Sequence, residues 1–257
     1  MKNNLELWNV LVTFTHASYY MPWYMRLLLN NDFKKYDYRL LKNFSDFATY
    51  YLSEWISDEN KVVCNYSRAI WDPNRSLDNK DLFKKTDFNW NQVFKIEIPK
   101  ILKRYLINKY YKQYHKDIQY KIEQLKAKYW KIIHIDVHDT WNLLLWKDFD
   151  LDKSRDYYFS ELNLFNPDNK ACSKDIEEKI HNIFRKNFSY DLNVDNPEST
   201  WGFVTRKYWD GNEVHALRLE LGRYLFMDEK TQKLDFEKIE EFKKVFDNVL
   251  LEIKSII

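Results

Sequence analysis

The sequence predicts a single α/β domain built on a mixed, largely parallel sheet flanked by helices. Three observations predict it. Short apolar runs of strand character alternate with longer stretches whose apolar residues recur every three to four positions. No segment repeats another, and none has the composition of a linker or a low-complexity tract. A chain of 257 residues buries a substantial core in one domain, here read as residues 1–257.

The elements follow in order. Residues 5–15 are rich in Leu and Val and partly alternate, which predicts a first strand ending at His16, with Pro22 soon after. Residues 37–55 set Leu40, Leu41, Phe44, Phe47, Ala48 and Tyr51 at helical spacing, predicting an amphipathic helix. Residues 61–65 predict a short strand, and Pro73 forbids a regular element in the Arg-rich loop that follows. Residues 94–129 read as one long helical region or two helices, with Pro99 near the first N-terminus. Residues 131–137 predict a strand and residues 175–187 a helix. Residues 201–207 and 214–221 predict strands, the second buried. Residues 234–257 open with Asp235 and predict a closing amphipathic helix.

Composition excludes several classes. There are 41 basic and 39 acidic residues, a net charge of +2, so the chain is no general attractor of nucleic acid. The basic stretch 100–116 interleaves Lys and Arg with Tyr and Ile and reads as a solvated helix with snorkelling lysines. No apolar run is long enough to cross a bilayer, and no apolar segment follows Met1 in the manner of a signal peptide. Cys64 and Cys172 are too few for a disulfide framework and are expected to be buried small hydrophobes in a reducing cytoplasm. With three glycines in the chain, a phosphate-cradling Gly-rich loop is missing, which argues against Rossmann or P-loop nucleotide binding.

Chemistry concentrates where the apolar runs end. T-F-T-H closes at His16, I-D-V-H-D spans residues 135–139, and L-R-L-E-L-G spans residues 217–222. Open α/β sheets place ligands outside the carboxyl ends of their strands. Strand alternation puts His134, Asp136 and His138 on one face and Ile133, Ile135 and Val137 on the other. A polar stripe in an apolar strand is costly unless its groups are paired or bind a ligand. Two histidines at separate strand ends, with carboxylates nearby, point to a metal site of catalytic-zinc type: three protein ligands and a fourth position left to water. Zinc lowers the pKa of water to about 7 and polarises a carbonyl, and a free carboxylate then moves the proton.

Four segments, T-H-A-S-Y-Y-M-P, S-R-A-I-W-D-P-N-R, I-D-V-H-D and H-A-L-R-L-E-L-G-R-Y-L, resemble in order and spacing the N-formylglutamate amidohydrolase family. That family is similar to succinylglutamate desuccinylase and aspartoacylase, which share the zinc carboxypeptidase-like (phosphorylase/hydrolase-like) fold. The resemblance runs from about residue 8 to 230, and S-R-x-x-x-D-x-N-R is its most specific piece. It implies one zinc ion held by His16 and His138. The related desuccinylases carry a glutamate three residues after the first histidine, where this chain has Tyr19, so Asp37 is the expected third ligand. The resemblance further implies Arg68 over the scissile carbonyl, Asn74 and Arg75 on a substrate carboxylate, and Glu220 as general base. His215, Asn196 and Thr205 would line the substrate side. Asp72 would orient the arginines. The chain departs from the family pattern at Ser18, where glycine is usual, and at Glu198 and Trp201, which would narrow or recharge the pocket.

Plainer readings stand beside these. Arg68 and Arg75 pair on the surface with Asp72 and Asp78, Glu220 is a solvated edge-strand residue beside Arg218, and Asp37 is a helix N-terminal acid. His115 and His181 read as exposed and structural. The expected activity is zinc-dependent removal of a formyl or other small acyl group from an acidic amino acid, a small-molecule substrate with no nucleic-acid or membrane partner. A zinc carboxypeptidase or peptidoglycan-fragment amidase is the first alternative. A non-catalytic α/β binding module is the second.

Overall fold

The computed structural model describes residues 5–35, 38–87, 90–140, 162–189, 192–194, 202–210, 212–228 and 231–257. The first strand, β1, is Val10–Phe14. Helix α1 (Trp23–Leu28) follows Pro22. Two short helices, α2 (Arg39–Asn43) and α3 (Thr49–Ser53), then lead to β2 (Lys61–Val63). Helix α4 (Lys100–Leu106) passes through a π turn, Ile107–Tyr111, into α5 (Lys112–Tyr129). Strand β3 is Ile132–Thr140 and β4 is Leu162–Phe165. Helix α6 (Lys174–Asn187) precedes β5 (Leu192–Val194), and α7 (Phe203–Tyr208) precedes β6 (Val214–Gly222). A small ribbon of β7 (Met227–Asp228) and β8 (Lys233–Leu234) leads to α8 (Phe236–Ile253). Asp235 caps α8 by accepting from the Lys238 amide at 3.1 Å.

The six-stranded sheet has the order β2-β1-β3-β6-β4-β5. The pairs β1–β2, β1–β3 and β3–β6 are parallel, and β4 runs antiparallel to β6. The sheet is therefore mixed and mostly parallel, as expected. Because β2 and β3 leave β1 in opposite directions, the strand order reverses at β1/β3, where α/β sheets open their ligand crevice.

Helices cover both faces. Helix α5 packs on β1, β2 and β3, and α7 on β3 and β6; α3 packs on β1 and β3 from the other side and joins α6 and α8 as an outer layer. One core lies under that outer layer and contains Ile133, Ile135, Val137, Leu217, Leu219 and Leu221. The other lies under α5 and contains Leu11, Ile118, Ile122, Ile132 and Val214. Burial of each such side chain contributes roughly 1.5–3 kcal/mol.

Three expected elements differ. The helix predicted over residues 37–55 is broken into α2 and α3 because its middle bonds elsewhere. The Asp46 amide donates to the His16 carbonyl at 2.9 Å, and Arg223 takes the Asn43 and Ser45 carbonyls out of the helical ladder. Residues 203–208 form a helix where a strand was expected, since Val204 and Tyr208, four apart, both face the second core. The long helical region begins at Lys100 and contains the π turn, which brings the Tyr111 hydroxyl to the Arg75 carbonyl at 2.7 Å. His115 and His181 are buried, against expectation. His115 faces inward, Nδ1 to the Tyr208 hydroxyl at 2.7 Å and Nε2 to the Pro73 carbonyl at 3.1 Å, and His181 lies on the inner side of α6. Cys64 and Cys172 are buried and free, as expected. No described helix is long and apolar enough to cross a membrane.

Candidate active site

Parallel strands end together, so β1, β3 and β6 deliver His16, His138 and Glu220 to one edge of the sheet. The register pairs His138 with Glu220 and Asp136 with Arg218 across β3 and β6, and Thr13 with Asp136 across β1 and β3. Strand alternation then sets His134, Asp136, His138, Arg218 and Glu220 on one face.

That face is a hydrogen-bonded chain. Asp136 Oδ1 accepts from the Thr13 and Thr15 hydroxyls at 2.7 and 2.5 Å, and Oδ2 faces His138 Nε2 at 2.9 Å. Each threonine spends its single proton on Asp136. The Tyr114 hydroxyl must therefore donate to Thr15, and His134 Nε2 to Thr13, both at 2.9 Å. Burial pushes the His134 pKa down to about 4, which leaves that ring neutral.

His16 is treated in the same way on the other side. Its Nε2 faces Asp72 Oδ1 at 2.8 Å, and Asp72 also accepts from Arg68 Nη2 at 2.8 Å. Burial disfavours the Asp72 carboxylate, but Arg68 and His16 outweigh it and hold the carboxyl well below its ordinary value. A carboxylate only accepts, so each Nε2 carries the proton and the Nδ1 atoms turn inward. Both meet Asp46 Oδ2, His138 Nδ1 at 2.9 Å and His16 Nδ1 at 3.3 Å. His16 Nδ1 is buried and has no hydrogen-bond partner among the described residues. One ligand atom from each of His16, Asp46 and His138 lies within 4.8 Å of the others. Two imidazole Nδ1 atoms and a carboxylate converge on one point, each ring anchored behind by a second carboxylate; with a metal in place of the Nδ1 protons they would form a donor set suited to zinc. Burial opposes ionisation of Asp46, but the two histidines beside it keep its carboxyl below the usual range.

Cations surround this centre. Arg68 Nη1 is 4.0 Å from Asp46 Oδ1, and Arg75 Nε and Lys84 Nζ are each 4.0 Å from Asp72 Oδ2. Arg218 is ion-paired with Glu220. Burial, with repulsion from Arg68 and Arg75, lowers Lys84 to about 8, and burial lowers Arg218 to about 10, so both stay charged at neutral pH. Glu220 is 4% exposed, so it is no solvated edge residue. Asp72 is fully buried, so its pair with Arg68 is no surface ion pair. Asn74 spends its side-chain oxygen on the Val204 amide at 2.9 Å, which leaves its NH₂ as the donor.

The structure brings together His16, His138, Arg68, Asn74, Arg75 and Glu220. It does not bring in His215, which sits on the opposite face of β6 and accepts from the Ser173 amide at 3.3 Å. Thr205 is fully buried within α7, whose start is tied to Asn74. Asp37 and Asn196 lie outside the described residues, as do Glu198 and Trp201. The carboxylate that meets the two histidines is Asp46, which lies where helical spacing predicts the middle of a helix. Its available signal was the polar pair Ser45-Asp46 interrupting the stripe between Phe44 and Phe47.

Comparison with known proteins gives a consistent assignment. The family model of N-formylglutamate amidohydrolase matches residues 9–227. Among solved structures, the chain is similar to the N-formylglutamate amidohydrolase of Ralstonia eutropha, with a TM-score of 0.74 and 15% identity over 97% of this chain and 94% of that one. It is similar as well to a gene product of Agrobacterium tumefaciens, with a TM-score of 0.71 and 13% identity over 96% of this chain and 89% of that one. At such identities the likeness of structure speaks for the fold alone. No curated protein matches the chain.

Proposed function

The chain belongs to the N-formylglutamate amidohydrolase family, and from that premise we propose that it hydrolyses N-formylglutamate to formate and glutamate, with one zinc ion held by His16, Asp46 and His138. The observation that carries the reading is the inward pair of Nδ1 atoms on Asp46, each ring held from behind by Asp136 or Asp72. Bound zinc supplies Lewis acidity toward the formyl oxygen and makes water easier to deprotonate.

The chain's own groups account for the remainder. Glu220 takes a proton from the attacking water and returns it to the departing glutamate nitrogen, so that water adds across the C–N bond. Arg68, 4.0 Å from Asp46, faces the oxygen on which negative charge develops. Arg75 and the Asn74 NH₂ bind a substrate carboxylate, the guanidinium as a two-pronged donor. Charge supports a dianionic substrate. Among the described residues of the centre, Asp46, Asp72, Asp136 and Glu220 balance Arg68, Arg75, Lys84 and Arg218. A divalent ion then adds the charge that two substrate carboxylates neutralise. The buried free thiols of Cys64 and Cys172 suit a reducing cytoplasm.

The test is release of formate from N-formylglutamate by metal-free protein, before and after one equivalent of zinc, with N-formyl derivatives of neutral amino acids and a short peptide in parallel. Zinc-dependent turnover of the acidic substrate supports the reading. Zinc-independent turnover, or preference for the peptide, refutes it.

A further inference from the structure

We infer that the buried pair Asp139–Arg223 is a positioning brace that sets Asp46 against the two histidines, an inference that rests on the metal reading above. Asp46 belongs to no regular element. It lies in the turn between α2 and α3, a segment that needs something to fix it. Arg223 begins a 3₁₀ turn directly after β6 and is 1% exposed.

Its guanidinium reaches two parts of the centre at once. Nε donates to Asp139 Oδ1 at 2.6 Å, and Nη2 also contacts that oxygen; Asp139 is the residue after His138. Nη2 donates to the Ser45 carbonyl at 2.7 Å and Nη1 to the Asn43 carbonyl at 3.4 Å. Nη2 lies 3.9 Å from Asp46 Oδ1. One rigid group therefore ties the end of β3, just past His138, to the turn that presents Asp46. The Asp46 amide completes the tie by donating to the His16 carbonyl at 2.9 Å.

Only arginine offers this geometry. Its planar fork places donors in fixed directions and serves a carboxylate and two carbonyls together, whereas an ammonium is a compact point charge. A buried ion pair is weak evidence for stability, since an apolar replacement is often neutral. What this pair adds is placement: it takes two carbonyls from the helical ladder at the spot where a continuous helix would carry Asp46 elsewhere.

The experiment uses the full chain, metal-free, as wild type, Arg223→Lys, Arg223→Gln and Asp139→Asn. Zinc affinity is read by competition with a chromogenic chelator, and amide exchange is followed over residues 43–49 and over β3 and β6. Arg223→Lys keeps the charge beside Asp139 and loses the fork, so it carries the test if Arg223→Gln does not fold. The expected result is a zinc affinity lowered about 10- to 100-fold and exchange at least about tenfold faster over residues 43–49, with β3 and β6 as protected as in wild type. Folded Arg223→Lys with wild-type affinity and wild-type protection at 43–49 overturns the brace. Wild type that takes up no zinc refutes the metal reading instead, and the exchange over 43–49 still decides whether Arg223 holds the turn.

Discussion

On one face of β3, Ile133, Ile135 and Val137 sit in a dry core; on the other, His134, Asp136 and His138 are buried to the same degree. The first face stabilises the fold through contact area, and almost any apolar group of the right volume would serve. The second pays for desolvating polar groups, and each must find a partner. Thr13, Thr15 and Tyr114 supply those partners along the stripe, and at its end His138 meets Asp46. The same strand thus separates stability from chemistry by parity of residue number, and substitutions on the two faces should fail in different ways.

The largest separation is expected at Glu220 and Leu219, neighbours on β6 that point to opposite faces. Glu220→Gln should lower kcat on N-formylglutamate about 10²- to 10⁴-fold per folded molecule; because it also removes the partner of buried Arg218, the folded fraction is checked by thermal unfolding. Loss of fold in place of loss of rate would break the comparison. Leu219→Ala should do the reverse, costing about 2–5 kcal/mol of stability with turnover per folded molecule unchanged, as read by denaturant melts beside active-site titration. Behind the metal centre, Asp136→Asn keeps the shape of the stripe but weakens the hold on His138 Nε2. Zinc affinity should fall about 10- to 100-fold, checked by chelator competition on folded protein.

The smallest effect lies on α8, under the apolar face. Burial pushes the Asp247 carboxyl up to about 6. A carboxyl with a raised folded pKa is bound to its proton more tightly in the folded state. Its contribution is most favourable below pH 4 and is lost as pH rises through 6. Asp247→Asn should therefore raise the melting temperature more at pH 7 than at pH 4. After allowance for solvent screening the difference is about 1 kcal/mol, or roughly 3 °C. An equal gain at both pH values would show that Asp247 is not the titrating group.

The face that carries chemistry was also the more legible one. Strand alternation around His138 fixes which residues share a face, and apolar runs that stop at His16 and Glu220 mark strand ends. A parallel sheet brings those ends together. Asp46 was hidden because its neighbours keep helical spacing, so local periodicity argued for a helix that tertiary bonds from His16 and Arg223 interrupt. His215 was misplaced for a similar reason: it belongs to the right motif, but odd and even positions of β6 face different ways. Strands β4 and β5, at one end of the sheet, are three or four residues long and left no pattern long enough to read. Arg223 lay within a motif already singled out, yet nothing in the sequence says which carbonyls it reaches.

The central claim is that His16, Asp46 and His138 hold one ion between two inward Nδ1 atoms. Anomalous diffraction at the zinc edge, on crystals grown from protein loaded with one equivalent of zinc, tests it most directly. The account predicts one peak bonded to His16 Nδ1, His138 Nδ1 and an Asp46 oxygen, with the Nε2 atoms still on Asp72 and Asp136. A peak on the Nε2 side, a peak elsewhere with Asp46 uninvolved, or no peak at full zinc occupancy in solution would contradict it.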